Sequence, residues 1–108
     1  MLGFIIFLSF WAGPNAQPYE ACKVYGKIYE ETIPAQADFS VYIEDSEAFA
    51  DLLVYEHTNP LYADREGQWA FVENRAFAKY YVYFTNKRNQ ADFTIAFIDT
   101  ESFAGCNK

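Results

Sequence analysis

The chain has 108 residues, and its 15 acidic and 8 basic residues give a formal net charge of −7. An acidic balance without a basic cluster argues against binding to nucleic acid or to anionic membrane surfaces. One His and two widely separated Cys residues also exclude the usual His- and Cys-based zinc sites.

Residues 1–16 differ in kind from the rest of the chain. Residues 2–11 form an uncharged apolar run, too short to cross a bilayer, which takes about 20 residues. Such a run is typical of the core of a secretory signal peptide, and the alternative is a first buried strand. We therefore predict a signal peptide over residues 1–16 and a single domain over residues 17–108. The mature protein would be secreted or periplasmic, with no stable membrane span after removal of the signal.

An Ala recurs at nearly constant spacing along the rest of the chain. These anchor alanines are Ala37, Ala50, Ala63, Ala78, Ala91 and Ala104, and their residue numbers differ in turn by 13, 13, 15, 13 and 13. A fixed period indicates a repeat architecture, and the longer interval contains a two-residue insertion at Arg65, Glu66 and Gly67. We interpret the alanines as positions that another backbone approaches closely. Helix propensity at the end of a turn is the alternative.

Each unit begins with a strand-like run in which apolar and other residues alternate, as at Val41 and Ile43 against Tyr42 and Glu44. A helix-capping type follows, namely Asp45 or Ser46, Asn59, Asn74, Asn86, and Asp99 or Thr100. Asn59 and Pro60 are the clearest case, because Pro is favoured at the first position of a helix. Only a few residues then remain before the Ala, so each unit should hold a single helical turn.

The length of the unit restricts how the strands can pair. A parallel neighbour needs a crossover of about a dozen residues, which so short a unit cannot supply in addition to its strand. Tight hairpins would need two-residue turns of the Asn-Gly kind, and the sequence has none. We therefore expect a corner between consecutive strands, and pairing between strands further apart in a closed ring.

Tandem short units of the form Val-Tyr, apolar residue, polar turn and Ala-Asp resemble the septoil-knot domain family of small bacterial proteins. The resemblance covers about residues 23–105. It implies a chain threaded as a torus knot with seven crossings, a rare exception among protein folds. The sequence departs from the pattern in its one longer interval, in its irregular first unit, and at Lys79 and Gly105, which replace Asp. The resemblance brings no activity and no functional residues with it.

The expected fold class is therefore mainly β, with short strands each followed by a single helical turn, in tandem repeats of about 13 residues wound into a compact knotted ring. Cys22 and Cys106 flank the repeats, one before the first unit and one after the last. We predict a disulfide between them, because a secreted protein can form one. Two unpaired thiols or a bond between chains are the alternatives.

Four anchor alanines are followed by an aspartate: Asp38, Asp51, Asp64 and Asp92. Carboxylates at one repeat position could bind Ca²⁺ or serve as an acid–base pair, although no loop has the spacing of a calcium-binding loop. Asp at this place is otherwise a hydrogen-bonding residue of a local turn. The lone His57 is expected to be a surface residue without a catalytic role.

Three tyrosines, Tyr42, Tyr55 and Tyr83, also share one repeat position. On a solvent-exposed face they would form an aromatic strip able to bind sugars or apolar partner surfaces. On a buried face they would form a second layer of the core. We favour this second interpretation because the chain has many aromatic residues to bury.

The expected function is that of a monomeric structural or interaction module, not an enzyme and without a cofactor. Its partner would be a protein or a glycan, and not nucleic acid. Two alternatives are a Ca²⁺-stabilised binding domain and a small carboxylate-dependent hydrolase.

Overall fold

A computed structural model describes residues 21–107, so the signal peptide predicted for residues 1–16 lies outside the described residues. This part of the chain is mainly β. Its strands are β1 (Gly26–Glu30), β2 (Phe39–Ile43), β3 (Leu52–Glu56), β4 (Gln68–Phe71), β5 (Tyr80–Phe84), β6 (Phe93–Ile98) and β7 (Gly105–Cys106). Three-residue 3₁₀ helices separate them at Pro34–Gln36, Glu47–Phe49, Pro60–Tyr62, Arg75–Phe77, Arg88–Gln90 and Glu101–Phe103. No helix within residues 21–107 is long and apolar enough to cross a membrane.

The strands pair with partners further along the chain. β1 pairs with β4 and β5, β2 with β5 and β6, and β3 with β6, in every case in parallel. A pairing between β3 and β4 joins the two ends of this series, so that six strands form a closed ring in the order β4-β1-β5-β2-β6-β3. The short β7 runs antiparallel beside the start of β3. The expectation of a ring built from distant pairings is confirmed.

One pair of consecutive strands departs from that expectation, since β3 and β4 are hydrogen-bonded to each other. The difference follows from the length of the connection. Residues 57–67 connect β3 to β4, whereas the shorter segments 31–38 and 44–51 connect β1 to β2 and β2 to β3. The longer connection approaches the dozen or so residues that a parallel crossover requires, and the insertion recognised in the sequence supplies the extra length.

The core lies inside the ring and receives a fully buried side chain from each of the six ring strands, β1 to β6. These residues are Ile28, Val41, Val54, Trp69, Val82 and Ile95, and each lies nine positions before an anchor alanine. Leu52 and Phe93 extend the same cluster. The large Trp69 also donates a hydrogen bond from Nε1 to the carbonyl of Val24, 2.8 Å away. Its polar atom is therefore satisfied inside the core.

The 3₁₀ helices form the exposed corners between strands, and none of their residues is buried. At three corners the predicted cap is present, because Ser46, Asn59 and Asn74 accept a hydrogen bond from the N–H two residues later. Thr100 occupies the cap position without such a bond, and Lys87 stands where Asn86 was expected.

Each anchor alanine follows a 3₁₀ helix and donates its N–H to the carbonyl of the first residue of that helix. The backbone at Ala50 is extended, with φ −86° and ψ 145°, and Ala37, Ala78, Ala91 and Ala104 are similar. Helix propensity therefore does not account for the repeated Ala. Ala50 and Ala63 are buried, which agrees with close packing at those two positions, and the other four are partly exposed.

Cys22 and Cys106 form the predicted disulfide within one chain, with their Cα atoms 5.0 Å apart. The bond joins the segment before β1 to β7. It therefore holds together the two ends of the described chain.

Candidate binding surface

Three of the four repeated aspartates join strands that are distant in sequence. Asp51 donates its N–H to the carbonyl of Thr94 at 3.0 Å, and its Oδ2 accepts the N–H of Thr94 at 3.0 Å. Asp38 forms the same reciprocal pair with Tyr81, and Asp92 forms it with Ser40. The aspartates are therefore backbone hydrogen-bonders, as one interpretation of the sequence held. Their partners, however, lie 43 or 52 residues away rather than in a local turn.

Asp64 differs from the other three because it follows the corner at which the repeat is irregular. Its carboxylate lies at the surface, 3.5 Å from Nε of Arg65. No three His, Cys, Asp or Glu side chains between residues 21 and 107 are grouped so that they could hold a metal ion. Asp51 and Asp92 do line one cleft of about 380 Å³, but Oδ2 of each is already bonded to a backbone N–H.

Tyr42, Tyr55 and Tyr83 are each partly buried, on β2, β3 and β5. Their Cα partners on the neighbouring strands differ in kind: Thr94 faces Tyr42, Ser40 faces Tyr83, and Gln68 faces Tyr55. Tyr55 lines a cleft together with charged side chains.

The more exposed aromatic side chains lie at the corners. The third residue of each 3₁₀ helix directly precedes an anchor alanine, and these residues are Gln36, Phe49, Tyr62, Phe77, Gln90 and Phe103. The four aromatic members are between 63% and 68% exposed. Large apolar side chains exposed repeatedly at one structural position do not contribute to the core.

Strand order places these four corners together. Around the ring from β4 to β3, the helices that follow the strands end in Phe77, Gln36, Gln90, Phe49, Phe103 and Tyr62. Since β3 is hydrogen-bonded to β4, the four aromatic corners are consecutive and the two glutamine corners are neighbours. We call Phe49, Phe103, Tyr62 and Phe77 the aromatic arc. The last residue of the corner helix is thus aromatic on one side of the ring and glutamine on the other.

A cleft of about 450 Å³ lies within the aromatic arc, between the Tyr62 corner and the Glu101 corner. It is lined by Tyr55, His57, Tyr62, Asp64, Arg65 and Glu101. We call it the Glu101 cleft. A second cleft, of about 400 Å³, shares Arg65 and Glu101 and is also lined by Gln68. Charged and aromatic side chains therefore meet where the ring closes.

Two buried polar side chains point at the carboxylate of Glu101. Gln68 is 3% exposed, and its Nε2 donates to Glu101 Oε2 at 3.1 Å. The side chain of His57 is 10% exposed, and its Nε2 lies 3.6 Å from the same oxygen. The expectation that His57 is a surface residue is therefore wrong. Its ring packs edge-on against Tyr55, with the ring centres 4.9 Å apart, and this contact shields it from solvent.

Comparison with protein families gives one match, to the model described as the 7(1) septoil knot domain, over residues 21–107. The chain belongs to the septoil knot domain family. Among curated proteins and solved structures, no match to this septoil knot domain was found.

The corner aromatics, Gln68 and Glu101 were not among the site residues expected from the sequence of this septoil knot domain. Two features of the sequence could have indicated these residues. The corner aromatics directly precede four of the six anchor alanines. Gln68 begins an apolar strand right after the insertion that interrupts the period, where an amide has no evident role in the fold.

Proposed function

We propose that this septoil knot domain is a non-catalytic binding module that docks a protein partner on the aromatic arc. The supporting observation is that the four aromatic side chains, each at least 63% exposed, occupy consecutive corners of the ring. Aromatic residues, including Phe, are among the side chains enriched in the cores of protein interfaces. The two opposite corners end in glutamine and present no aromatic side chain at this position.

A protein partner fits this surface better than a glycan does. The arc residues lie on four separate corners, so a ligand that covers them all must be broad. Three of the four are Phe, which offers apolar area without a hydroxyl group for polar recognition. A single sugar ring would cover one corner at most.

The compartment that we propose is extracellular or periplasmic. The disulfide between Cys22 and Cys106 supports this, because such bonds persist in oxidising compartments. The net charge of −7 supports a partner other than nucleic acid. The absence of catalysis is also part of the proposal, and the backbone bonds of Asp38, Asp51 and Asp92 support it because they occupy the carboxylates.

Site-specific photo-crosslinking in the cells that make the protein would test the proposal. The photoreactive amino acid p-benzoylphenylalanine would replace Phe49, Phe77 or Phe103 in the arc, and Gln36 or Gln90 as matched controls at the same structural position. We expect one crosslinked protein of constant mass from the three arc positions and none from the two glutamine positions.

Two results would contradict the proposal. Crosslinking of equal yield from the arc and the glutamine corners would mean that the arc is not a distinct surface. A crosslinked product of twice the mass of the chain would mean that the arc contacts a second copy instead of a different protein.

A further inference from the structure

We infer that the Glu101 cleft receives an arginine side chain of the partner. The inference rests on the proposed function, because the cleft opens between two corners of the aromatic arc. The inference adds a chemical requirement for the partner: a cationic, planar group must lie beside the apolar surface that contacts the aromatic arc.

The carboxylate of Glu101 is held in place before any ligand arrives. A Glu on an exposed corner normally samples many rotamers, and fixing it costs entropy on binding. Here the side chain is 54% exposed, yet Gln68 donates a hydrogen bond to its Oε2 and His57 approaches the same atom. Its second oxygen, Oε1, has no hydrogen bond from residues 21–107, and Oε2 keeps a second lone pair, so both oxygens can accept a hydrogen bond from a ligand. Glu101 is therefore a prearranged acceptor.

The buried groups behind Glu101 have no other evident use. Nε2 of His57 and Oε1 of Gln68 are buried without a hydrogen-bond partner among the described residues. An unpartnered buried polar atom costs about 1–3 kcal/mol, so neither atom stabilises the fold as it stands. Their position behind one exposed carboxylate points to a role in orienting it.

Aromatic rings form the walls of the cleft. The ring of Tyr55 lies 4.9 Å from the ring of His57, and the ring of Tyr62 lies 6.2 Å from it, measured between centres. A guanidinium group stacks on such faces and gives a carboxylate two parallel hydrogen bonds. A lysine ammonium is a point charge and lacks both features, and a neutral ligand would leave the carboxylate unpaired.

The charge around the cleft also favours a cation. Asp64 and Glu101 are acidic, and the one cation among the lining residues, Arg65, is paired with Asp64 at 3.5 Å. The side chain of Arg65 is 75% exposed, so it can turn away into solvent. Arg65 offsets part of the negative charge of the cleft, and its removal should strengthen binding of a cation.

The probe for this site is an acetylated and amidated tripeptide with arginine between two glycines, titrated into the disulfide-bonded protein at low salt. The ring signals of His57 and Tyr62 in NMR spectra report binding at the cleft. The same peptide with neutral citrulline, which has nearly the same shape, and a third with lysine are the ligand controls. We expect saturable shifts with arginine, affinity at least tenfold lower with citrulline, and severalfold lower affinity with lysine.

Three variants complete the experiment. Glu101→Gln should lower the affinity for the arginine peptide at least tenfold, and Arg65→Gln should raise it about threefold because it removes a positive charge. Glu47→Gln is the matched control, since Glu47 begins the equivalent corner after β2, and it should leave the affinity unchanged.

Several results would overturn the inference: equal affinity for arginine and citrulline peptides, equal affinity for arginine and lysine peptides, binding that survives Glu101→Gln, or binding of a neutral saccharide instead. Its failure is distinguishable from failure of the proposed function. Crosslinks at Phe49 and Phe77 without arginine binding would refute only the inference that the cleft binds arginine. Arginine binding without arc-specific crosslinks would refute only the proposal that a protein docks on the arc.

Discussion

At the scale of single residues, the repeated Asp has a physical explanation in the pairing of the strands. Each reciprocal pair, as between Asp92 and Ser40, adds a charge-assisted hydrogen bond just before a strand begins. Where Lys79 replaces Asp, only the backbone half of the pair remains, from its N–H to the carbonyl of Lys27 at 2.7 Å. The side chain thus extends the pairing by one residue and fixes its register.

The variant Asp51→Ala should therefore lower the free energy of unfolding by about 1.5–3 kcal/mol, the usual range for a hydrogen bond to a charged group. Denaturant unfolding of the disulfide-bonded protein is the measurement. Asp64→Ala is the matched control at the same repeat position, and its exposed carboxylate should be worth less than about 0.5 kcal/mol. Equal losses for the two variants would mean that the reciprocal bonds do not stabilise the fold.

The sequence predicted the position of these aspartates but not their partners. Period and residue type are local properties, whereas the partner of Asp51 is 43 residues away and depends on how the strands are arranged. The same limit explains the error over His57. Repeat position suggested exposure, but burial of this residue results from the packing of Tyr55 and from the Glu101 corner, which is distant in sequence.

At the scale of elements, the ring closes through the insertion between β3 and β4. Gly67 lies there with φ +79°, a conformation that side chains other than glycine rarely adopt. A Cβ atom on Gly67 would lie 2.2 Å from the nitrogen of Gly105 and 2.6 Å from the carbonyl oxygen of Leu53. Backbone from β3, β7 and the insertion therefore meets at this glycine.

The variant Gly67→Ala should cost about 4 kcal/mol or more, because rigid backbone on both sides cannot move away. Gly26→Ala is its control, with φ +102° and a nearest contact of 3.3 Å to the flexible side chain of Lys79. We expect about 1–2 kcal/mol there, from backbone strain alone. Thermal unfolding followed by circular dichroism would show a drop in melting temperature for Gly67→Ala at least twice that for Gly26→Ala, and similar drops would contradict the close approach.

The elements themselves were largely predictable. The alternation of apolar and other side chains predicted the strands, and the capping residues with the following Ala predicted the helical turns. The cap position was wrong by one residue at one corner, where it is Lys87 and not Asn86. The pairing of β3 with β4 was missed, although the insertion that permits it was recognised. The sequence shows that the loop is longer by the insertion. It does not show whether the extra residues project into solvent or allow the two strands to pair.

At the scale of the whole molecule, the disulfide joins residues 84 apart and encloses every strand. In the chain-entropy description, a bond that closes a loop of this length restricts the unfolded chain strongly. It also holds the two-residue β7, whose neighbour Asn107 donates from Nδ2 to the carbonyls of Glu47 and Ala50 at 2.7 and 2.9 Å.

The double variant with Cys22→Ser and Cys106→Ser should therefore lose about 4 kcal/mol of unfolding free energy in denaturant titrations. Asn107→Ala separates the two contributions, since it removes the local bonds at this end and leaves the crosslink. We expect about 1–3 kcal/mol for it. A loss from the double variant no larger than that from Asn107→Ala would mean that the crosslink itself adds little.

The pairing pattern also affects how the protein is made. As the chain leaves the ribosome, β1 cannot pair with another strand until β4, at residues 68–71, has been synthesised. In the same way β2 cannot pair until β5 has been synthesised. More than half of an aromatic-rich polypeptide therefore emerges before its first strand can pair. Biogenesis of this fold should depend on factors that shield such segments until synthesis is nearly complete.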